Sequence, residues 1–266
     1  MRFDLLLHLE DPTPSTSSST QEVGSDVDDA FRERCARQLA QLVNQDVVGI
    51  NAGSHPHDDR WRHLLQTQTP RLAMAAGLHP WWVTDDWAAV LPDVERALPS
   101  CCAVGETGLD PFAAASLDTQ ADAFAAQLDL ADAHGLPVVA HVVRQHDAAF
   151  ALLRQRPTVT GVVHGFSGSW VQAKRYLDVG WHLSVGPQVR QSRAKKMRDA
   201  AQRVPLDRLL LETDGHHVDG ALLDDVAATV AQLRGCDIDE VLERCSHNAA
   251  QLWPQLDARN PLLTAE

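Results

Sequence analysis

The sequence predicts an α/β fold, a (β/α)8 TIM barrel, and three observations carry that expectation. Short apolar runs bounded by turn residues recur between helical stretches, the pattern of buried parallel strands. Four of these runs end in a residue that can hold a metal. They read Cys101–Cys102–Ala103–Val104–Gly105–Glu106, Pro137–Val138–Val139–Ala140–His141, Thr160–Gly161–Val162–Val163–His164 and Arg208–Leu209–Leu210–Leu211–Glu212–Thr213–Asp214. A length of 266 residues also suits one such barrel, typically about 250 residues. In that fold the active site lies at the C-terminal ends of the strands, so the same runs predict a site.

Taken in order, the first strand is Arg2 to Leu7, with His8 at its end. Asp11 to Asp29 is rich in Ser, Thr, Pro and acidic residues and reads as a loop, flexible over 12–29. Helices are expected over Asp28–Asn44, Asp58–Gln66, Trp87–Ala97, Leu117–His134, His146–Gln155, Trp170–Val179, Ser192–Arg203, Leu222–Arg234 and Ile238–Trp253. Gly135 stops the fourth of these, as a helix C-terminus favours, and Ser167–Gly168–Ser169 supplies an N-cap setting for the sixth. The intervening strands are Val47–Ile50, Leu72–Ala76, a run ending at Glu106, runs ending at His141 and His164, Trp181–Val185, and a last one ending near Thr213. Eight strand–helix units fit within one domain spanning residues 1–266, and nothing in the composition marks a linker.

The hydrophobic share of 44% is enough for a sizeable core. No stretch approaches the roughly 20 apolar residues that cross a bilayer, and the start lacks the pattern of a signal peptide, so a cytoplasmic location is expected. The five cysteines include no CxxC pair and read as reduced thiols. A net charge of −13 argues against a broad basic surface for nucleic acid. It leaves room for a local basic site or a metal-mediated phosphate contact.

The strand ends define the chemistry. Gly105 and Gly108 flank Glu106 and let the backbone turn it to the rim. A carboxylate can bridge two divalent metals, and imidazole nitrogen suits zinc and other transition metals. His141 and His164 follow on the next two strands. Asp214 ends the last strand, which in a closed barrel neighbours His8. Alone, each is an ordinary turn residue or hydrogen-bonded histidine. Together, His8, Glu106, His141, His164 and Asp214 around one mouth would support one or two divalent ions and an activated water.

These residues resemble a known family. Gly77–Leu–His–Pro80, Ala103–Val–Gly–Glu–Thr–Gly–Leu–Asp110, Gly135–Leu–Pro–Val–Val–Ala–His141, Gly161–Val–Val–His–Gly–Phe–Ser–Gly168 and Leu210–Leu–Glu–Thr–Asp214 look like the signatures of TatD-family metal-dependent hydrolases, in order along nearly the whole chain. The resemblance implies a barrel of the metallo-dependent hydrolase type, a divalent metal cofactor (Mg, Mn, Zn or Co) and phosphodiester hydrolysis of DNA or an oligonucleotide. It implies that Glu106 bridges two ions, that His141 and His164 hold the second, and that Asp214 holds the first and takes a proton from the attacking water.

Three departures from the family pattern are visible. The family's Asp-x-His-x-His stretch reads Asp4–Leu5–Leu6–Leu7–His8, with Leu6 in place of the first histidine, which leaves His8, Glu106 and Asp214 for the first ion. Val143, with Arg144 beside it, stands where an arginine is usual. After Asp214 the chain runs Gly215–His216–His217 almost directly into a helix, and these histidines read as exposed turn residues, replacement ligands or phosphate contacts. For substrate, His79, Arg144, Arg193 and Lys195 are the candidates. The last two belong to a basic cluster, Arg190 to Arg198, after strand 7, where barrels often hold phosphate. Trp81–Trp82 reads as loop packing or as a base-stacking platform. Two alternatives stand beside the nuclease reading: a non-catalytic binding or assembly protein that retains the barrel, and a hydrolase of a small phosphoester or amide.

Overall fold

A computed structural model describes residues 2–7, 29–52 and 69–256. His8, the segment 12–29 and the helix expected over 58–66 lie outside the described residues, as does the Leu6 side chain. Eight strands form one parallel sheet in sequential order: β1 (Arg2–Leu7), β2 (Val47–Asn51), β3 (Leu72–Ala76), β4 (Ala103–Leu109), β5 (Val138–Val142), β6 (Gly161–His164), β7 (His182–Val185) and β8 (Leu209–Leu211). The described helices are α1 (Asp29–Asn44), α2 (Leu91–Ala97), α3 (Leu117–His134), α4 (His146–Leu153), α5 (Trp170–Asp178), α6 (Lys195–Arg203), α7 (Gly220–Arg234) and α8 (Ile238–Leu252). None of them is long and apolar enough to cross a membrane.

Alternation along the strands sorts residues between two apolar layers. Val139, Val162 and Leu210 share the barrel interior, while Ala140, Val163, Leu183 and Leu211 pack outward against the helices. The same alternation brings His141, His164, Ser184 and Glu212 to the inner face at the upper ends of β5 to β8. The mouth closes where β8 meets β1. There the buried Asp4 carboxylate accepts from the Thr213 backbone N–H at 2.9 Å and from Thr213 Oγ1 at 2.6 Å. At the other end of β1 the Arg2 guanidinium grips Asp224 of α7 through two hydrogen bonds, and Phe3 stacks on Trp253 at 5.9 Å.

Most element boundaries agree with the sequence expectation to within one or two residues. β4 does not. The sequence ends it at Glu106, but it runs on to Leu109 through a register irregularity between Val104 and Thr107. Its inward side chains there meet the polar mouth, so hydrophobicity stops before the strand does. The helix expected from Trp87 is a 3-10 turn, Trp87–Ala89, followed by α2, with Pro92 in the first turn of α2. Residues before Lys195 form a turn, Ala194 N–H to the Gln191 carbonyl at 2.9 Å, so α6 begins later than Ser192. β8 stops at Leu211, and Thr213 belongs to the seam with Asp4.

Candidate metal centre

Helix α3 sets the loops that carry the first half of the centre. It starts at the Ser116 cap and ends at Gly135, whose φ of 63° suits glycine. Gln120 and Gln127 lie two turns apart on one face and are both fully buried. Gln127 pairs with the peptide of Leu78 in both directions, accepting at 2.7 Å and donating at 3.1 Å. Gln120 does the same for Asp110, at 2.8 Å and 3.0 Å. The loop after β3, with His79, and the loop after β4, with Asp110, are thereby pegged to a helix interior. Each peg supplies buried peptide groups with partners that the sheet does not give them.

β4 approaches β5 closely because it carries glycine where any Cβ would collide. A Cβ on Gly105 would stand 2.6 Å from the Val139 carbonyl oxygen, and one on Gly108 only 2.0 Å from that of His141. Both have φ near 150°, a conformation that side chains rarely adopt. Glu106 is thus held directly against β5. The register between β5 and β6 then sets His141 opposite His164.

Three donor atoms converge. Glu106 Oε1 lies 2.8 Å from His164 Nε2 and 3.5 Å from His141 Nδ1, and those two nitrogens are 2.8 Å apart. His79 caps a 3-10 turn, its Nδ1 accepting from the Trp81 backbone N–H at 3.2 Å, which leaves Nε2 facing Glu106 Oε1 at 3.8 Å. On the far side His164 Nδ1 faces Glu212 Oε1 at 3.7 Å. Ser184 Oγ donates to Glu212 Oε2 at 2.5 Å and accepts from the Gly165 N–H at 3.1 Å. Glu106, His164 and Glu212 are buried. Burial disfavours charge on the His164 ring, yet the Glu106 and Glu212 carboxylates outweigh it and hold its pKa well above the ordinary histidine value. A site that pulls so strongly on a proton is also suited to a cation, which would displace that proton.

Among the described residues two trios have ligand atoms all within 4.8 Å of one another: His79, Glu106 and His141, and His164, Glu212 and Asp214. Nitrogen and carboxylate donors gathered this closely fit a divalent metal ion. Asp214 is exposed and has φ 51°, so it reaches the second trio from a turn rather than a strand. Beside this half lies a cavity of about 610 Å³ lined by Gly165, Ser167, Gln188, Arg193, Lys195 and Lys196, among others. Within the cluster Arg190 pairs with Asp225 at 2.9 Å, Arg198 donates to the Val189 carbonyl at 2.7 Å, and Arg193 Nε donates to Gln191 Oε1 at 2.9 Å.

A profile of the family described as TatD-related DNase matches residues 5–254. The chain belongs to that family. It is 41% identical over 188 residues to the metal-dependent hydrolase YjjV of Escherichia coli, an alignment covering 68% of this chain and 72% of that protein. It is 40% identical over 153 residues to an uncharacterized metal-dependent hydrolase of Haemophilus influenzae, covering 54% of this chain and 58% of the relative. A protein named 3'-5' ssDNA/RNA exonuclease TatD, from Erwinia billingiae, is 30% identical over 223 residues, 76% of this chain and 85% of its own. The crystal structure of E. coli YjjV superposes with a TM-score of 0.80 at 27% identity, covering 95% of this chain and 98% of that one. Fold and family are therefore those of a TatD-type metal-dependent hydrolase.

Within this TatD-type barrel the residues singled out in the sequence fall into three groups. Glu106, His141 and His164 come together as a tight trio, and Asp214 joins His164. His79, expected to meet substrate, faces Glu106 inside the donor cluster. Arg193 and Lys195 line the adjoining cavity, whereas exposed Arg144 stacks its guanidinium 5.0 Å over the Phe112 ring at the rim. The tryptophans split: Trp81 is exposed, and Trp82 packs on the small core of Leu78, Val83 and Ala123. His216 and His217 are exposed.

The sequence argument passed over Glu212, Asp110 and Ser184. Glu212 had a visible signal, since it shares parity with inward-facing Leu210. Asp110 had none beyond its place after β4.

Proposed function

We propose that the chain hydrolyses phosphodiester bonds, in DNA or an oligonucleotide, by metal-activated water. The observation that carries this reading is the convergence of Glu106 Oε1, His141 Nδ1 and His164 Nε2 within 3.5 Å, beside a cavity lined by Arg193, Lys195 and Lys196. The exonuclease name of the Erwinia relative supports a single-stranded nucleic acid as substrate. The close approach of Glu106, His141 and His164 supports one ion site, and the trio of His164, Glu212 and Asp214 supports a second. His8, which follows β1 in the sequence, is proposed as a further ligand. When bound, such ions polarise a phosphoryl oxygen and lower the pKa of water.

The protein's own residues would do the rest. Asp214, exposed at the mouth, takes the proton of the attacking water. Arg193 and Lys195 bind the phosphate through charge-assisted hydrogen bonds. Arg144 contacts the substrate at the opposite rim, and His79 meets it from within the donor cluster. The cytoplasm is the proposed location.

The test combines metal content per chain, after purification without chelator, with turnover on bis-phosphodiester and oligonucleotide substrates. Glu106→Gln and Asp214→Asn are each expected to reduce kcat at least about a hundredfold, since loss of metal-based charge stabilisation costs several kcal/mol. Activity that survives both changes removes this mechanism. A second reading, a binding protein without turnover, is favoured by the exposed turn position of Asp214. It predicts that wild-type protein loaded with Mg, Mn, Zn or Co cleaves no ester.

A further inference from the structure

One carboxylate beneath the rim touches both the donor cluster and the exposed aromatic residues above it. Asp110 is 3% exposed and sits just past the end of β4. Its Oδ1 accepts from the Phe112 backbone N–H at 2.9 Å. Its Oδ2 accepts from the Trp81 indole N–H at 2.8 Å and faces His141 Nε2 at 3.2 Å. The Gln120 peg fixes the Asp110 backbone from below. Trp81 is 61% exposed, and its ring stands edge-on to both His79 and His141, with centroids 5.1 Å and 6.4 Å away. The indole N–H ties this exposed ring to Asp110.

We propose that Asp110 is the positioning residue of the centre: its carboxylate sets the tautomer of His141 and couples that imidazole to the Trp81 ring. The argument is one of donors and acceptors. An ionised carboxylate can only accept, so His141 Nε2 must carry the hydrogen and Nδ1 the lone pair. That lone pair faces Glu106 Oε1 and His164 Nε2, where a cation would sit. Asp110 already accepts from the Phe112 backbone N–H and the Trp81 indole N–H, the acceptor role of a carboxylate. Trp81 and His141 share one acceptor atom, so a planar group stacking on the indole and a change at the imidazole act on the same oxygen. Carboxylate partners of ligand histidines commonly orient the ring and raise its basicity. The inference rests on the proposed metal role of His141, but the tautomer is a property of the metal-free protein and is measured separately.

The experiment uses the full chain with 15N-labelled histidine. Long-range 15N–1H correlation on metal-free protein is expected to show His141 as the Nε2–H tautomer. Asp110→Asn, whose amide can donate to Nε2, is expected to shift it toward Nδ1–H. Titration with Mn2+ or Zn2+ alone, followed by calorimetry, is expected to show 10- to 100-fold weaker binding in Asp110→Asn. Trp81→Phe keeps a ring but removes the indole donor, and it should move the His141 nitrogen signals while leaving the fold intact. Should Asp110→Asn not fold, this second variant decides. An unchanged His141 tautomer in Asp110→Asn, or unchanged His141 signals in Trp81→Phe, overturns the proposal. A wild-type protein that binds neither ion overturns the metal reading alone.

Discussion

The two halves of the barrel mouth are built differently. On the β3–β5 side every side chain of the centre is braced: His79 by the Trp81 N–H, Glu106 by a strand forced close by glycine, His141 by Asp110, and the loops by two buried glutamines. On the β6–β8 side Ser184 braces the buried Glu212, while Asp214 and the cations of the Arg193–Lys196 segment are exposed. His164 joins the halves through Glu106 at 2.8 Å and Glu212 at 3.7 Å. The difference teaches where precision and where access are needed. Donor atoms that must meet one ion have to be held to within fractions of an ångström. Groups that bind a phosphate chain gain from reach and charge.

The largest expected effect breaks the braced half. Gln127→Leu would strand the buried N–H and C=O of Leu78, at roughly 1–3 kcal/mol for each unsatisfied group. We expect about 4 kcal/mol of lost stability in urea denaturation, with Gln120→Leu similar through Asp110 and Ala115. A loss under 1 kcal/mol would mean the pegs are incidental.

The next concerns the floor beneath the open half. His182 starts β7 on the inner face, is 3% exposed, and among the described residues neither ring nitrogen has a hydrogen-bond partner. Burial pushes its pKa down from 6.5 to about 4. A depressed histidine favours the folded state fully above the unfolded pKa, and that contribution is lost as pH falls from 6.5 toward 4. The sign follows because the unfolded chain binds the proton first. The window is worth up to about 3 kcal/mol. Unfolding midpoints measured across pH 4–7 should flatten in His182→Phe relative to wild type, and parallel curves would remove this account.

The smallest effect belongs to the exposed cations. Arg193→Ala and Lys195→Ala are each expected to raise KM about three- to tenfold with kcat nearly unchanged, and to lose that effect at high salt. A fall in kcat instead would place them with the braced half.

The braced half was the more legible in sequence, for a physical reason. Its strands carry continuous apolar runs closed by Glu106 and His141, so periodicity and a single polar terminus mark both the strand and the ligand. Bulge geometry is not written in hydrophobicity, which is why β4 continues past Glu106 to Leu109. Asp110 is an acid after a strand, indistinguishable from a turn residue until the Trp81 and His141 rings are folded over it. In the open half, β8 is three leucines long, and its two acids diverge: Glu212 continues the inward alternation, while Asp214 leaves the strand through a turn. The sequence marks Asp214 and passes over Glu212, because motif position outweighs parity there.

The glutamine pegs have a consequence for the order of assembly. They join α3 to loops only 49 and 10 residues away along the chain, whereas the Asp4–Thr213 seam joins residues 209 apart. Closing short loops costs less entropy, and local contacts form sooner. The braced half should therefore organise before the cylinder closes, and during synthesis before β8 has been made. Pulsed hydrogen exchange during refolding is expected to protect the Leu78 and Asp110 amides ahead of the Thr213 amide. A nascent chain would then present its histidines to metal while still unfinished.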